Sequence, residues 1–228
     1  MNIEYLFLAL IVFLAGIIPE LTGFGVATIS MALLSLFLPL ELVIPLVAII
    51  SLVATGIVAF TTKTKGILKH ILPLMLGSVF GVFLGMIFLK SINEDFLKLV
   101  LGIFLVLHSF YGLLNKSAIF PNGKVTGVVT GLMSGFFASL FNIHGPLIGV
   151  YSSSTKNLSK IQIKDFIATH MFFSGIFTVM GHGLSGRMTT DVFFYALLSL
   201  PFLLLGLIVG KKCLIKLMFF GSRGLFIS

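Results

Sequence analysis

LVIPLVAIISLVATGIVAFT, residues 42–61, runs for twenty residues without a charge. A helix of that length rises about 30 Å, the thickness of the hydrocarbon core of a bilayer. Outward from it, polar punctuation divides the chain into nine apolar segments: 3–18, 26–38, 42–61, 71–89, 96–114, 125–141, 146–155, 162–182 and 191–210. The pattern predicts an all-α polytopic membrane protein with about nine transmembrane segments.

Composition agrees. Of 228 residues, 58% are hydrophobic and 10% charged, with a mean hydropathy of +1.19. A soluble domain carries roughly a quarter charged residues. A soluble enzyme, a disordered chain and a disulfide scaffold are excluded; the single cysteine, Cys213, allows no internal bridge. The net charge of +8 points to cationic loops beside a membrane rather than to nucleic acid. The start, Met1-Asn2-Ile3-Glu4, lacks a basic region, so the first apolar run is expected to be a retained helix rather than a cleaved signal.

The cations set an orientation. With the N-terminus outside and nine crossings, Lys63, Lys65, Lys69, Lys116, Lys124, Lys156, Lys160, Lys164, Lys211, Lys212, Lys216 and Arg223 fall on the cytoplasmic side. Only Lys90, Lys98 and Arg187 remain outside. The positive-inside rule favours this arrangement, with the C-terminus cytoplasmic.

Two breaks are small and polar rather than charged loops. One is Pro19-Glu20-Leu21-Thr22-Gly23-Phe24-Gly25; the other is Asn142-Ile143-His144-Gly145-Pro146. They recur at a near-constant offset. Gly16 and Gly135 lie 119 apart, Gly25 and Gly145 120, Gly56 and Gly175 119, and Gly66 and Gly186 120. Pro73 and Pro201 pair at 128, which implies a small insertion. The expected organisation is two repeats within one membrane domain, 1–115 and 120–228. Five spans in the first repeat make the second enter from the opposite side, an inverted-topology arrangement. The second repeat shows four clear spans. Beyond Gly210 the tail is short and cationic, so its fifth span is expected to be missing or degenerate, through truncation or in a genuinely shorter protein.

Paired short, interrupted segments point to a binding site. The candidate substrate-binding residues are Thr22, Gly23, Phe24 and Gly25 in the first break and Asn142, His144, Gly145 and Pro146 in the second. Glycine allows close backbone approach, helix N-termini attract anions, and Pro146 suits a first helical turn. Packing of a tight helical hairpin is the competing reading for each break. Glu20 and His144 are candidates for proton coupling, since both can change charge. Asp165 and His170, near the start of the eighth segment, read as interface and packing residues, and His108 and His182 as structural. Ser152-Ser153-Ser154-Thr155 either lines a path or ends a short helix. Gly77, Gly81 and Gly85, Gly127, Gly131 and Gly135, and Gly206 and Gly210 form small-residue ladders for close helix packing.

These residues together resemble the sulfite exporter TauE/SafE family of membrane permeases. The resemblance rests on Ala15-Gly16 leading to Thr22-Gly23-Phe24-Gly25, and on Thr130-Gly131-Leu132-Met133-Ser134-Gly135-Phe136-Phe137 leading to Gly145-Pro146-Leu147. Pro201, followed by Gly206 and Gly210, completes it, and the match covers about residues 5–212. It implies secondary transport of small sulfur-containing anions such as sulfite, thiosulfate or organosulfonates, generally in the plasma or inner membrane of bacteria and archaea. The second break departs from the Gly-rich cluster often found there, and the last helix lacks a clear counterpart.

The leading expectation is a permease for small anions, alternating access around the two breaks. A channel, or a non-transporting scaffold such as an inactive truncated permease, is the alternative. No nucleotide-binding loop occurs, and Gly183-Leu184-Ser185-Gly186 has no later histidine to serve an intramembrane protease. No catalytic residue, metal site, cofactor or nucleic-acid partner is expected. The partners are a small-molecule anion and the lipid bilayer; the oligomeric state is unknown from sequence.

Overall fold

A computed structural model describes residues 3–18, 25–61, 68–113, 123–155 and 158–223. Among these residues the chain forms nine helices and no strand. They are α1 (Ile3–Ile17), α2 (Val26–Leu34), α3 (Leu40–Thr61), α4 (Leu68–Ser91), α5 (Glu94–Leu113), α6 (Lys124–Phe141), α7 (Gly145–Ser154), α8 (Lys160–Leu184) and α9 (Thr190–Arg223). Each apolar segment has become one helix, and the protein is an all-α polytopic membrane protein. Four stretches are long and apolar enough to cross a bilayer by themselves: Leu40–Thr61, His70–Ser91, Lys124–Phe141 and Thr190–Cys213. Phe60, Phe83, Phe110 and Leu197 expose more than half their surface, as side chains solvated by lipid do.

Two helices are half-length. α2 has 9 residues and α7 has 10, so each rises about 14–15 Å, half the hydrocarbon core. Each folds back on the helix before it. Phe37, just after α2, stacks on Phe7 near the start of α1, with ring centroids 5.0 Å apart. Tyr151 near the end of α7 reaches Gly127 near the start of α6.

Glycines set the closest contacts. A methyl group on Gly77 would enter the backbone of Val128, and one on Gly81 that of Leu132; on Gly131 and Gly135 it would meet the backbones of Leu74 and Ser78. α4 and α6 thus pack backbone to backbone and run parallel. α1 and α9 do the same. Gly206 abuts Phe13, Gly210 abuts Ile17, and Gly16 faces the Leu203 carbonyl, which a methyl there would approach to 2.9 Å. α3 crosses α8 antiparallel, with Gly56 against the Phe172 ring and Gly175 against Leu52.

The start of α3, the end of α4, the start of α5 and the end of α8 share one end of the bundle. There Leu40 N donates to Glu94 Oε1 at 3.2 Å, Lys98 Nζ pairs with Glu94 at 2.9 Å, and Arg187 Nη2 donates to Leu89 O at 3.1 Å. The hydrogen bond from Lys98, followed by that from the Leu40 amide, holds the Glu94 carboxyl below its usual range. Lys90, Lys98 and Arg187, the three cations assigned to the outside by the charge tally, belong to this end.

α9 does not stop at Gly210. It continues through Lys211 and Lys212 to Arg223, 34 residues in all or about 51 Å. The cationic tail thus lengthens the ninth helix, and no separate tenth helix occurs among the described residues.

Candidate anion site at the helix breaks

α6 ends because Asn142 turns left-handed, with φ 56° and ψ 15°, the only non-glycine residue with positive φ among those described. Asparagine tolerates that conformation better than most side chains. Its own amide N–H still bonds Ala138 O at 2.8 Å, and its side-chain Nδ2 donates to Ile44 O of α3 at 2.8 Å. The sharp turn is thereby fastened to a neighbouring helix.

His144 follows as the N-cap of α7, with Pro146 in the first turn. Its carbonyl accepts from Ile148 N at 3.3 Å. The side chain is 3% exposed, caps nothing, and leaves Nδ1 without a hydrogen-bond partner. Its ring meets that of His170, on α8, edge to face with centroids 6.2 Å apart. His170 Nε2 in turn lies 2.9 Å from Ser78 Oγ of α4, and that hydroxyl is 3.1 Å from Gly131 O of α6. A polar chain therefore runs from the second break through α8 and α4 back to α6.

The first break is described from Gly25 onward. Gly25 is the N-cap of α2 at φ 131°, ψ −27°, a conformation open to glycine and costly for any residue with a Cβ. Its carbonyl accepts from Ile29 N at 3.0 Å, and no side chain caps the helix. Thr22, Gly23, Phe24 and the coupling candidate Glu20 lie outside the described residues. Val26 and Ala27, the first residues of α2, belong to the same buried cluster as Ile44, Leu140, Phe141 and Ile143. The start of α2 and the second break are thus joined through one continuous core. Neither α2 nor α7 has a side-chain cap, so the N–H groups of each first turn are available to an acceptor.

Other polar residues resolve differently. The hydroxyls of Ser152, Ser153, Ser154 and Thr155 donate to Gly149 O, Gly149 O, Val150 O and Tyr151 O, at 3.0, 2.7, 3.0 and 3.1 Å. That run ends a short helix by bonding to its own backbone. Asp165 and His182 are buried. His170 and Ser78 were not among the expected site residues. A signal for His170 did exist: it lies 119 residues after Ser51, and Ser174 lies 119 after Thr55, the spacing of Gly56 and Gly175. All four polar side chains are buried in the facing helices α3 and α8. A groove of about 340 Å³ opens between α4 and α8, lined by Phe83, Met86, Lys90, Phe177 and Met180. It lies away from the breaks, and its exposed apolar walls fit lipid.

The model of the family described as Sulfite exporter TauE/SafE matches residues 8–221, nearly the whole chain and both breaks. The chain belongs to the sulfite exporter TauE/SafE family. Membership places it among membrane transport proteins. The TauE/SafE match begins within α1 and ends within α9, so every helix contributes to it. No curated protein and no solved structure matched the chain.

Proposed function

We propose that the protein is a secondary permease for small sulfur-containing anions, with sulfite, thiosulfate and organosulfonates as the candidate substrates. Alternating access would take place around the two helix breaks. The observation that carries this reading is His144. A buried side chain with a free ring nitrogen stands at the uncapped start of a half-length helix, where backbone N–H groups and the helix dipole favour an anion. Gly25 offers the matching helix start from the first break. Substrate contacts are proposed for Thr22, Gly23, Phe24, Gly25, His144, Gly145 and Pro146. Asn142, whose amide is engaged with Ile44, is proposed to hold the site's shape.

The packing supports two repeats of inverted topology, 1–115 and 120–228. The α4–α6 and α1–α9 pairs correspond when α1 is matched with α6 and α4 with α9. Gly16 against Gly206 then corresponds to Gly135 against Ser78. The offsets are 119 for the first members and 128 for the second, those found between the glycines and between the prolines. The α1–α2 and α6–α7 hairpins correspond likewise and would enter from opposite faces, with the N-terminus outside and the C-terminus cytoplasmic.

The test is flux of labelled sulfite, thiosulfate and an alkyl sulfonate in proteoliposomes, without ATP, comparing wild type with His144→Ala and Gly25→Leu. Wild type is expected to move at least one of these anions and both variants to lose most of that flux. Equal flux in folded variants would remove the site assignment, and absence of flux in wild type would remove the substrate class.

A further inference from the structure

The hydrogen bonds around His170 bear on its state. Ser78 has one hydroxyl hydrogen, and Gly131 O, 3.1 Å away, can only accept it. The same Ser78 oxygen lies 2.9 Å from His170 Nε2. With its hydrogen turned to Gly131, Ser78 accepts from Nε2–H, and the network favours the tautomer protonated at Nε2. His170 Nδ1 then carries a bare lone pair. It is fully buried and has no hydrogen-bond partner, and His144 Nδ1 is buried and unpartnered as well. Two imidazoles 6.2 Å apart thus present unused ring nitrogens at the second break.

We propose that His144 and His170 form a proton-binding pair, so that each anion bound at the second break takes up a single proton with it. This rests on reading the breaks as an anion site. An imidazolium alone would be poorly solvated in this buried setting, and so would an oxyanion alone. Bound together, the imidazolium offsets one unit of the anion's charge. A second proton on the neighbouring ring is opposed by repulsion at this separation. The proton comes from water and adds to a ring nitrogen; no bond in the anion breaks. Ser78 is a positioning residue, because it holds His170 with one nitrogen free.

The surroundings leave the pair few competitors. From α4, Ser78 and the Leu74 carbonyl face the His170 ring. The ionisable residues of the helices packed on α8 stand at other positions: Glu41 in the first turn of α3, Lys69, His70 and Lys90 near the ends of α4, and Lys124 at the start of α6. Tyr151 of α7 turns toward Gly127 and Phe166. On α8 itself, Asp165 lies five residues before His170, and Lys160, Lys164 and His182 lie further off.

The test uses the full chain in detergent, titrated with radiolabelled thiosulfate in weak buffer at about pH 7, with an indicator dye counting protons. Thiosulfate remains a dianion near neutrality, so protons taken up enter the protein. Wild type is expected to take up close to one proton per anion bound, and His170→Gln almost none. Ser78→Ala is expected to shift the pH at which uptake is half-maximal. Binding of thiosulfate by wild type without proton uptake would overturn the inference and leave the anion site standing. So would undiminished uptake in His170→Gln. If that variant does not fold, the wild-type count and the Ser78→Ala shift decide. Failure of wild type to bind thiosulfate, sulfite or an alkyl sulfonate would remove the anion site, and this inference with it.

Discussion

Asn142 Nδ2 donates to the carbonyl of Ile44 at 2.8 Å, across 98 residues of sequence. One residue thus makes the left-handed turn that ends α6 and ties that turn to α3. Its two tasks separate by mutation. Asn142→Gly keeps the backbone conformation and loses the hydrogen bond, which is expected to cost about 1 kcal/mol. Asn142→Ala loses both and is expected to cost about 1–2 kcal/mol more. Thermal unfolding of the detergent-solubilised variants measures the difference; equal melting temperatures for the two would contradict the account.

Gly25 makes a sharper demand. At φ 131° a side chain is strained whatever space surrounds it, so Gly25→Ala is expected to destabilise by about 1–3 kcal/mol. Gly102 on α5 is the control, because a methyl group there meets nothing within 4 Å. Gly102→Ala is expected to be neutral or to stabilise by up to about 1 kcal/mol, as in any helix interior. A melting-temperature series over both sites separates backbone strain from a general intolerance of substitution.

The glycine ladders predict a size threshold. Gly135→Ala would drive a methyl group into the Ser78 backbone, and Gly206→Ala one into Phe13. Each is expected to lower stability by about 1–3 kcal/mol, the usual cost of overpacking. Gly149→Ala is expected to be tolerated, since the added carbon would sit 3.8 Å from the Ile167 side chain. Heat-challenge chromatography of the solubilised variants checks the ranking.

Glu94 gives a pH dependence with a definite sign. Lys98 and the Leu40 amide favour its ionised form in the folded protein. Its contribution to stability is therefore complete above the ordinary carboxylate range and fades as pH falls through the lowered folded value. Glu94→Gln is expected to melt below wild type at neutral pH, with the gap closing in acid. A gap that stays constant down to about pH 3 would show that the carboxylate charge is not the cause.

Much of this architecture could be read from the chain, for reasons that particular residues make plain. Helices with an uninterrupted apolar face announce themselves, and Gly25, Gly145 and Pro146 mark the breaks because few other residues suit such turns. The end of α2 was less legible. Leu36, Phe37 and Leu38 continue the apolar run after the helix has closed at Leu34, since Pro39 disfavours helical backbone just before it. The continuation of α9 past Gly210 was missed because charge ends a hydrophobic span but not a helix, and lysine is a good helix former. His170 read as a packing residue because what singles it out is Ser78, 92 residues earlier, and no local pattern carries that information.

The pairing of α1 with α9 bears on how the protein is made. α1 is built to lie against α9, with Gly16 awaiting Gly206 some 190 residues later. Until α9 is made, the glycine face of α1 has only lipid or another chain to rest against. The union of this pair therefore waits on a distant stretch of chain, and biogenesis depends on keeping one helix patient in the bilayer until its companion arrives.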